Sequence, residues 1–187
     1  MKPEALALTK VDSHRIERRL IARGEFHDVH CAVRADKTGC PAGEFLDALK
    51  TGMWEPDPDA EELPDDEQIS DWHWFLNAIR HWASTGEPVH PGAVNDLDDG
   101  VWEFKRAKKR LSFYDTDGAG GYTPKLRILD HRDAEAPNSD YWQIPYFDHW
   151  IRLGHAFPKV TQATPEYDLE QTTDVREEDL AHDRTTA

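Results

Sequence analysis

Apolar positions along the chain change period several times, and each change predicts an element. From about Asp66 to Ser84, the residues Trp72, Phe75, Leu76, Ile79 and Ala83 recur at three- and four-residue steps. Trp74, Ala78 and Trp82 widen that stripe, and Gly86 and Pro88 end it, which predicts an amphipathic helix. Phe45, Leu46 and Leu49 repeat the helical spacing on a smaller scale, with Gly52 as the stop. Residues 13–23 (SHRIERRLIAR) also read as helical, with Ser13 as cap, Ile16 and Leu20 on one face, and Gly24 after. In FHDVHCAVRA the period falls to two. There Val29, Cys31 and Val33 alternate with His30, Ala32 and Arg34, as in a half-buried strand.

Residues 86–100 read as a loop leading into a run of strands: GVWEFKRAKKRLSFYDTDG, then KLRILDH, then HWIRLGHAF. Asp117-Gly118 and Gly120-Gly121 supply tight-turn chemistry between the second and third strands. Residues 133–148, rich in Pro and aromatics, read as an excursion. The tail predicts a short helix capped by Thr164 with Pro165 at its first position, fraying at its end. Strand, two helices, a meander of strands and a terminal helix predict an α+β fold, an antiparallel sheet with two helices packed on one face. The expected divisions are an N-terminal extension over 1–25, a domain over 26–180 with an insertion at about 119–149, and a flexible tail from 181 to 187.

Composition narrows the function classes. The 187 residues carry a formal net charge of −15, unevenly spread. Residues 41–100 hold fifteen Asp/Glu against Lys50 and Arg80, with an acidic, Pro-punctuated linker at 54–67, whereas 101–162 are mildly basic. The net charge argues against a freestanding nucleic-acid binder, so any RNA-facing surface belongs to the basic segment. No apolar stretch is long enough to span a bilayer, and the N-terminus lacks the apolar core of a signal peptide. Cys31 and Cys40 alone make no disulfide framework and match no metal motif, so a reduced cytosol is the expected setting.

Three segments carry a resemblance to a known family. LDDGVWEFK at 97–105 resembles a Leu-x-x-Gly-Leu-Trp-Glu-Leu-Arg pattern, and RLSFYDTDG at 110–118 resembles a strand and turn reading Arg-Val-Leu-Tyr-Phe-Tyr-Asp-Gly. HAFPKVTQATPEYDLE at 155–170 resembles His-Gly-Phe-x-Lys-Lys-Thr-Gln-Lys-Thr-Pro-x-x-Glu-Ile, with Phe157, Lys159, Thr161, Gln162, Thr164 and Pro165 in register. These patterns are those of the RelE/ParE toxin superfamily, in its HigB-like, phage-derived group. The sequence departs at Val160 and Ala163, where the family has lysines, at Lys105, where it has arginine, and in residues 119–149, where it has a tight hairpin.

The resemblance implies the toxin of a type II toxin–antitoxin system: a cytoplasmic, metal-free endoribonuclease that cleaves messenger RNA on the ribosome. It implies no cofactor and a helix-turn-helix antitoxin as partner. RNA supplies its own nucleophile, the 2′-hydroxyl. The enzyme must accept that proton, protonate the leaving oxygen and neutralise charge on the phosphorane. Lys105, Arg110, Lys159 and His155 are the candidate catalytic residues, with Arg106, Tyr114 and Gln162 as candidate RNA contacts. Each has a plainer reading: 105–110 as a solvated charge cluster, His155 as a core histidine sharing a face with Ile151, Leu153 and Phe157, and Tyr114 as packing. Gln162 and Thr161 have one too, as caps of the terminal helix. Asp115-Thr116-Asp117-Gly118 lacks the later ligands of a calcium loop and reads as a β-turn. The alternatives are a non-catalytic interaction module on the same scaffold and a ParE-like gyrase inhibitor.

Overall fold

The computed structural model describes residues 16–55 and 65–185. Six strands form one sheet: β1 (Leu20–Arg23), β2 (Asp28–Cys31), β3 (Val94–Asp98), β4 (Val101–Arg106), β5 (Lys109–Thr116) and β6 (Trp150–Pro158). Their order is β1-β2-β6-β5-β4-β3. Three helices accompany them: α1 (Pro41–Thr51), α2 (Asp65–Thr85) and α3 (Glu166–Thr185). The architecture is α+β, but the expected all-antiparallel sheet is corrected at one seam. β2 and β6 run parallel, with Val29 opposite Ile151 and Cys31 opposite Leu153. Two helices separate β2 from the meander, long enough to return the chain for parallel pairing.

Adjacent strand residues point to opposite sides, and they divide between two apolar clusters. Trp102, Phe104, Leu111, Phe113, Ile151 and Leu153 pack with Phe45, Leu46 and Leu49 of α1 and Phe75, Ile79 and Trp82 of α2. Val101 and Tyr114 pack with Val175 and Leu180 of α3. The tryptophan stripe of α2 is therefore core at Trp82, which is fully buried, while Trp72 and Trp74 are only half-buried.

Several local readings are corrected by pairing. Leu20–Arg23 is a strand, not part of a helix, because Ala22 pairs with Val29 and Arg23 with Asp28 across a turn in which the Gly24 N–H donates to the His27 carbonyl. Ser13, the expected cap, lies outside the described residues, as does most of the acidic linker. Val94–Asp98, expected as loop, is an edge strand held by β4, with Val94 opposite Phe104. KLRILDH forms no strand, and only the Ile128 N–H reaches across, to the Gln143 carbonyl. The final helix is long rather than short. It runs through 181–185, where a frayed tail was expected, and His182 Nε2 bonds the Arg34 carbonyl at 2.8 Å.

The 119–149 excursion is fastened to the sheet. Trp102 Nε1 donates to the Lys125 carbonyl at 2.8 Å, and Lys125 Nζ pairs with Asp115 at 2.7 Å. Arg127 pairs with Asp96 at 2.8 Å. At Gly100 (φ +77°) a Cβ would stand 2.4 Å from Pro124 Cα, so the excursion's close approach requires glycine there.

Candidate active site

The charged run 105–110 is split by strand alternation. β4 and β5 pair Lys105 with Arg110 and Glu103 with Ser112, on the side of Tyr114 and α3. Arg106 and Lys109, opposite each other, point the other way, toward α2. Lys109 Nζ meets Asp71 Oδ2 at 2.6 Å, and Arg106 Nε meets Asp71 Oδ1 at 3.1 Å. Arg106 also covers the Trp74 ring, 5.6 Å from its centroid. The guanidinium of Arg106, the expected RNA contact, is engaged by Asp71 and Trp74, on the opposite side from Arg110.

On the α3 side, Glu103 has no exposed side-chain surface, and neither of its oxygens has a hydrogen-bond partner. Arg110 Nε stands 3.5 Å from Oε1, while Arg110 Nη1 donates to the carbonyls of Ala107 at 2.7 Å and Lys109 at 2.9 Å. Burial pushes the Glu103 carboxyl upward, against the cationic charges of Arg110, Lys159 and Lys105. Burial likewise lowers the Arg110 guanidinium, with Glu103 opposing. Arg110 therefore faces the buried carboxylate directly, while Lys105, its partner across the β4–β5 ladder, and Lys159 bear on it through their charge. Strand alternation puts Glu103 on the face of Lys105, opposite Trp102 and Phe104, but nothing in the sequence marks it as buried.

His155 reaches this side through an irregularity. β6 pairs Leu111 with Ala156 but Phe113 with Leu153, so one extra residue is accommodated between them. Such a bulge re-aims side chains. Ile151 and Leu153 stay in the α1–α2 cluster, and strict alternation would have sent His155 with them. Instead, His155 Nε2 meets Asp168 Oδ1 of α3 at 2.8 Å, and its ring stacks on Phe157 at 5.4 Å. Burial lowers the imidazole, and Asp168 opposes that shift. With Nε2 facing a carboxylate, the partner assigns the proton to Nε2 and leaves Nδ1 as acceptor. The sequence reading did not mark Asp168 as the partner of His155.

Tyr114, the other expected RNA contact on this side, lies in the interior. It is 1% exposed, and its hydroxyl donates to Asp179 Oδ2 at 2.7 Å. Asp179 also takes Arg18 Nε at 2.8 Å and the Val33 N–H at 2.9 Å, and Asp183 takes Arg18 at 2.9 Å and Arg152 at 3.2 Å. This buried network ties the chain before β1 to β5, β6 and α3. Gln162 is exposed in the turn before α3, three residues beyond Lys159. Thr161 Oγ1 donates to the Ala163 carbonyl at 2.7 Å, so it closes the turn rather than capping α3.

No protein-family model matches the chain, and no curated protein sequence matches it. Among the described residues, no helix is long and apolar enough to cross a membrane.

Proposed function

We propose that the chain is a ribosome-dependent messenger-RNA endonuclease of the RelE/HigB-like kind, working without a metal. The observation that carries the reading is the convergence of Arg110, Lys105 and Lys159 on Glu103, beside the His155–Asp168 pair. His155, neutral and oriented by Asp168, accepts the 2′-hydroxyl proton at Nδ1. The 2′-oxygen attacks phosphorus and the bond to the 5′-oxygen breaks. Glu103, whose raised carboxyl holds a proton more readily than an exposed one, protonates that leaving oxygen. Arg110, Lys105 and Lys159 neutralise the phosphorane. Glu103 and His155 lie on β4 and β6 with β5 between, roughly 10 Å apart by strand spacing, enough to flank one phosphodiester.

Under this reading the α1–α2 pair braces the sheet from one face, behind the site, and the acidic segments engage a basic partner. That partner is the helix-turn-helix antitoxin that the resemblance implies. Expression in growing cells, with transcript ends mapped, tests the proposal. The wild type should arrest growth and cut translated messages, and Arg110→Ala, Lys159→Ala and His155→Ala should each relieve both effects while remaining folded. Full toxicity in all three variants would overturn it.

A second reading is favoured by the burial of Glu103 and the two backbone carbonyls bound to Arg110: a non-catalytic interaction module whose charged cluster holds the β4–β5 hairpin. It predicts no growth arrest and no cleavage.

A further inference from the structure

The 119–149 excursion meets the end of α2 around a cavity of about 270 Å³. Three stretches of chain line it: Phe26 and His27 after β1, Thr85 to Glu87 at the end of α2, and the excursion between Pro137 and Phe147. Ile144 and Phe147 also pack against the α1–α2 cluster, so the cavity lies across the sheet from Glu103. Much of its wall is aromatic. The Phe147 ring meets Trp82 at 5.4 Å and Trp102 at 5.7 Å, which anchors it to the core. Phe26 lies on the end of α2, where a Cβ at Gly86 would stand 3.1 Å from its ring. Phe26 and Tyr146 are nonetheless 48% and 68% exposed. Large apolar groups left open around one hollow mark a binding surface.

The charges around the cavity share one sign. Glu87 is half-buried in the lining, and its carboxylate joins no ion pair among the described residues. The 21-residue α2 ends here with no basic residue in its last turn, so nothing in that turn offsets the negative end of its dipole. No Lys or Arg among the described residues lines the cavity. His27 is the one basic residue of the lining. It is buried, its ring stacks on Trp82 at 6.1 Å, and Nδ1 donates to the Asp148 carbonyl at 2.9 Å. Burial lowers this imidazole, against the carbonyls of Asp148 and His149, so it brings no positive charge at neutral pH. An anion, RNA phosphate included, is repelled here. A cation gains from the ring faces, the carboxylate and the helix end together.

We propose that this cavity binds a small organic cation, an ammonium group carried on an apolar body. The aromatic residues take the body, and Glu87 with the end of α2 draws the charge. The volume equals that of about nine water molecules at ~30 Å³ each, which suits a free small molecule. Because α2 and the excursion line the cavity together, the bound cation bridges them and stabilises the chain by mass action.

Titration of the full chain with benzyltrimethylammonium, followed by two-dimensional NMR and calorimetry, tests this whatever the outcome for RNA cleavage. The shifts should saturate and centre on the amides of Phe26, Gly86 and Tyr146. Neopentylbenzene, the uncharged isostere, should bind about tenfold more weakly, and benzenesulfonate should show no saturable binding. Glu87→Gln and Tyr146→Ala, at positions that are not buried, should each weaken the cation about tenfold with the circular dichroism unchanged. The proposal is overturned if the isostere binds as tightly as the cation, if both variants bind it like the wild type, or if no shift saturates. A peptide carrying trimethylated lysine that binds more tightly than the free probe would give the cavity to a partner chain and overturn the small-molecule assignment.

Discussion

Arg110 Nε faces Glu103 Oε1 at 3.5 Å, and neither atom has a hydrogen bond to anything else. The pair is close enough for attraction and too long to satisfy either partner. A carboxylate left in that state costs folding free energy. Sites kept for chemistry often carry such a cost.

Glu103→Gln should therefore stabilise the fold while abolishing cleavage. A folded-state carboxyl raised above its unfolded value binds more protons folded than unfolded, so stability falls as pH rises from the ordinary carboxylate range through the raised one. An unsatisfied buried polar group costs about 1–3 kcal/mol, more when charged, and the amide removes the charged part of that cost at neutral pH. Urea unfolding from pH 4 to 8 should show Glu103→Gln gaining stability relative to the wild type as pH rises across the window. A variant less stable than the wild type at pH 8 would contradict this.

Asp179 should be the costliest single carboxylate to remove. It is fully buried, and its loss takes one of two acidic partners from Arg18 and from Arg152, which keep Asp183, and the acceptor from the Tyr114 hydroxyl. Breaking a buried ion pair on one side typically costs about 3–5 kcal/mol. Asp179→Ala should fall in that range by denaturant unfolding, and Tyr114→Phe should cost about 1 kcal/mol. Tyr114→Phe should also retain full activity, because its hydroxyl points into the network and not at RNA.

The split of the basic cluster gives a contrast on the other side of the sheet. Asp71→Ala leaves the Lys109 ammonium buried, 2% exposed, without its partner at 2.6 Å, and should destabilise by about 3–5 kcal/mol. Arg106→Ala, whose side chain is 40% exposed, should cost no more than about 1 kcal/mol and leave cleavage unchanged. Equal effects from the two substitutions would show that the alternation assigned here is wrong.

Elements whose period is set locally were legible in the sequence. The α2 stripe and the α1 helix ending at Gly52 follow from spacing and stop signals alone. What was not legible depends on long-range pairing. Leu20–Arg23 becomes a strand only because β2 is beside it, and Val94–Asp98 only because β4 is. The same holds for the site. Lys105, Arg110 and Lys159 are cations, and a basic segment in an acidic chain advertises them. Glu103 and Asp168 are two acids among thirty-seven, and only the fold shows that Glu103 is buried beside Arg110 and that Asp168 meets His155. His155 was assigned to the core by an alternation that the β5–β6 irregularity breaks.

That irregularity makes His155 the sharpest test of the site. Its imidazole should titrate below the ordinary 6.5, because burial disfavours the charged ring more than Asp168 favours it. Asp168→Asn removes the favouring charge and should lower the midpoint further, followed by the ring proton shifts in NMR. A folded-state imidazole lowered in this way contributes stability above its unfolded value and loses it as pH falls through 6.5 toward the folded midpoint. Cleavage should track the neutral ring, rising with pH through the same midpoint, and His155→Ala should lose about 10²–10⁴-fold in rate. If activity instead declines as the imidazole loses its proton, His155 is the acid rather than the base, and Glu103 must take the opposite role.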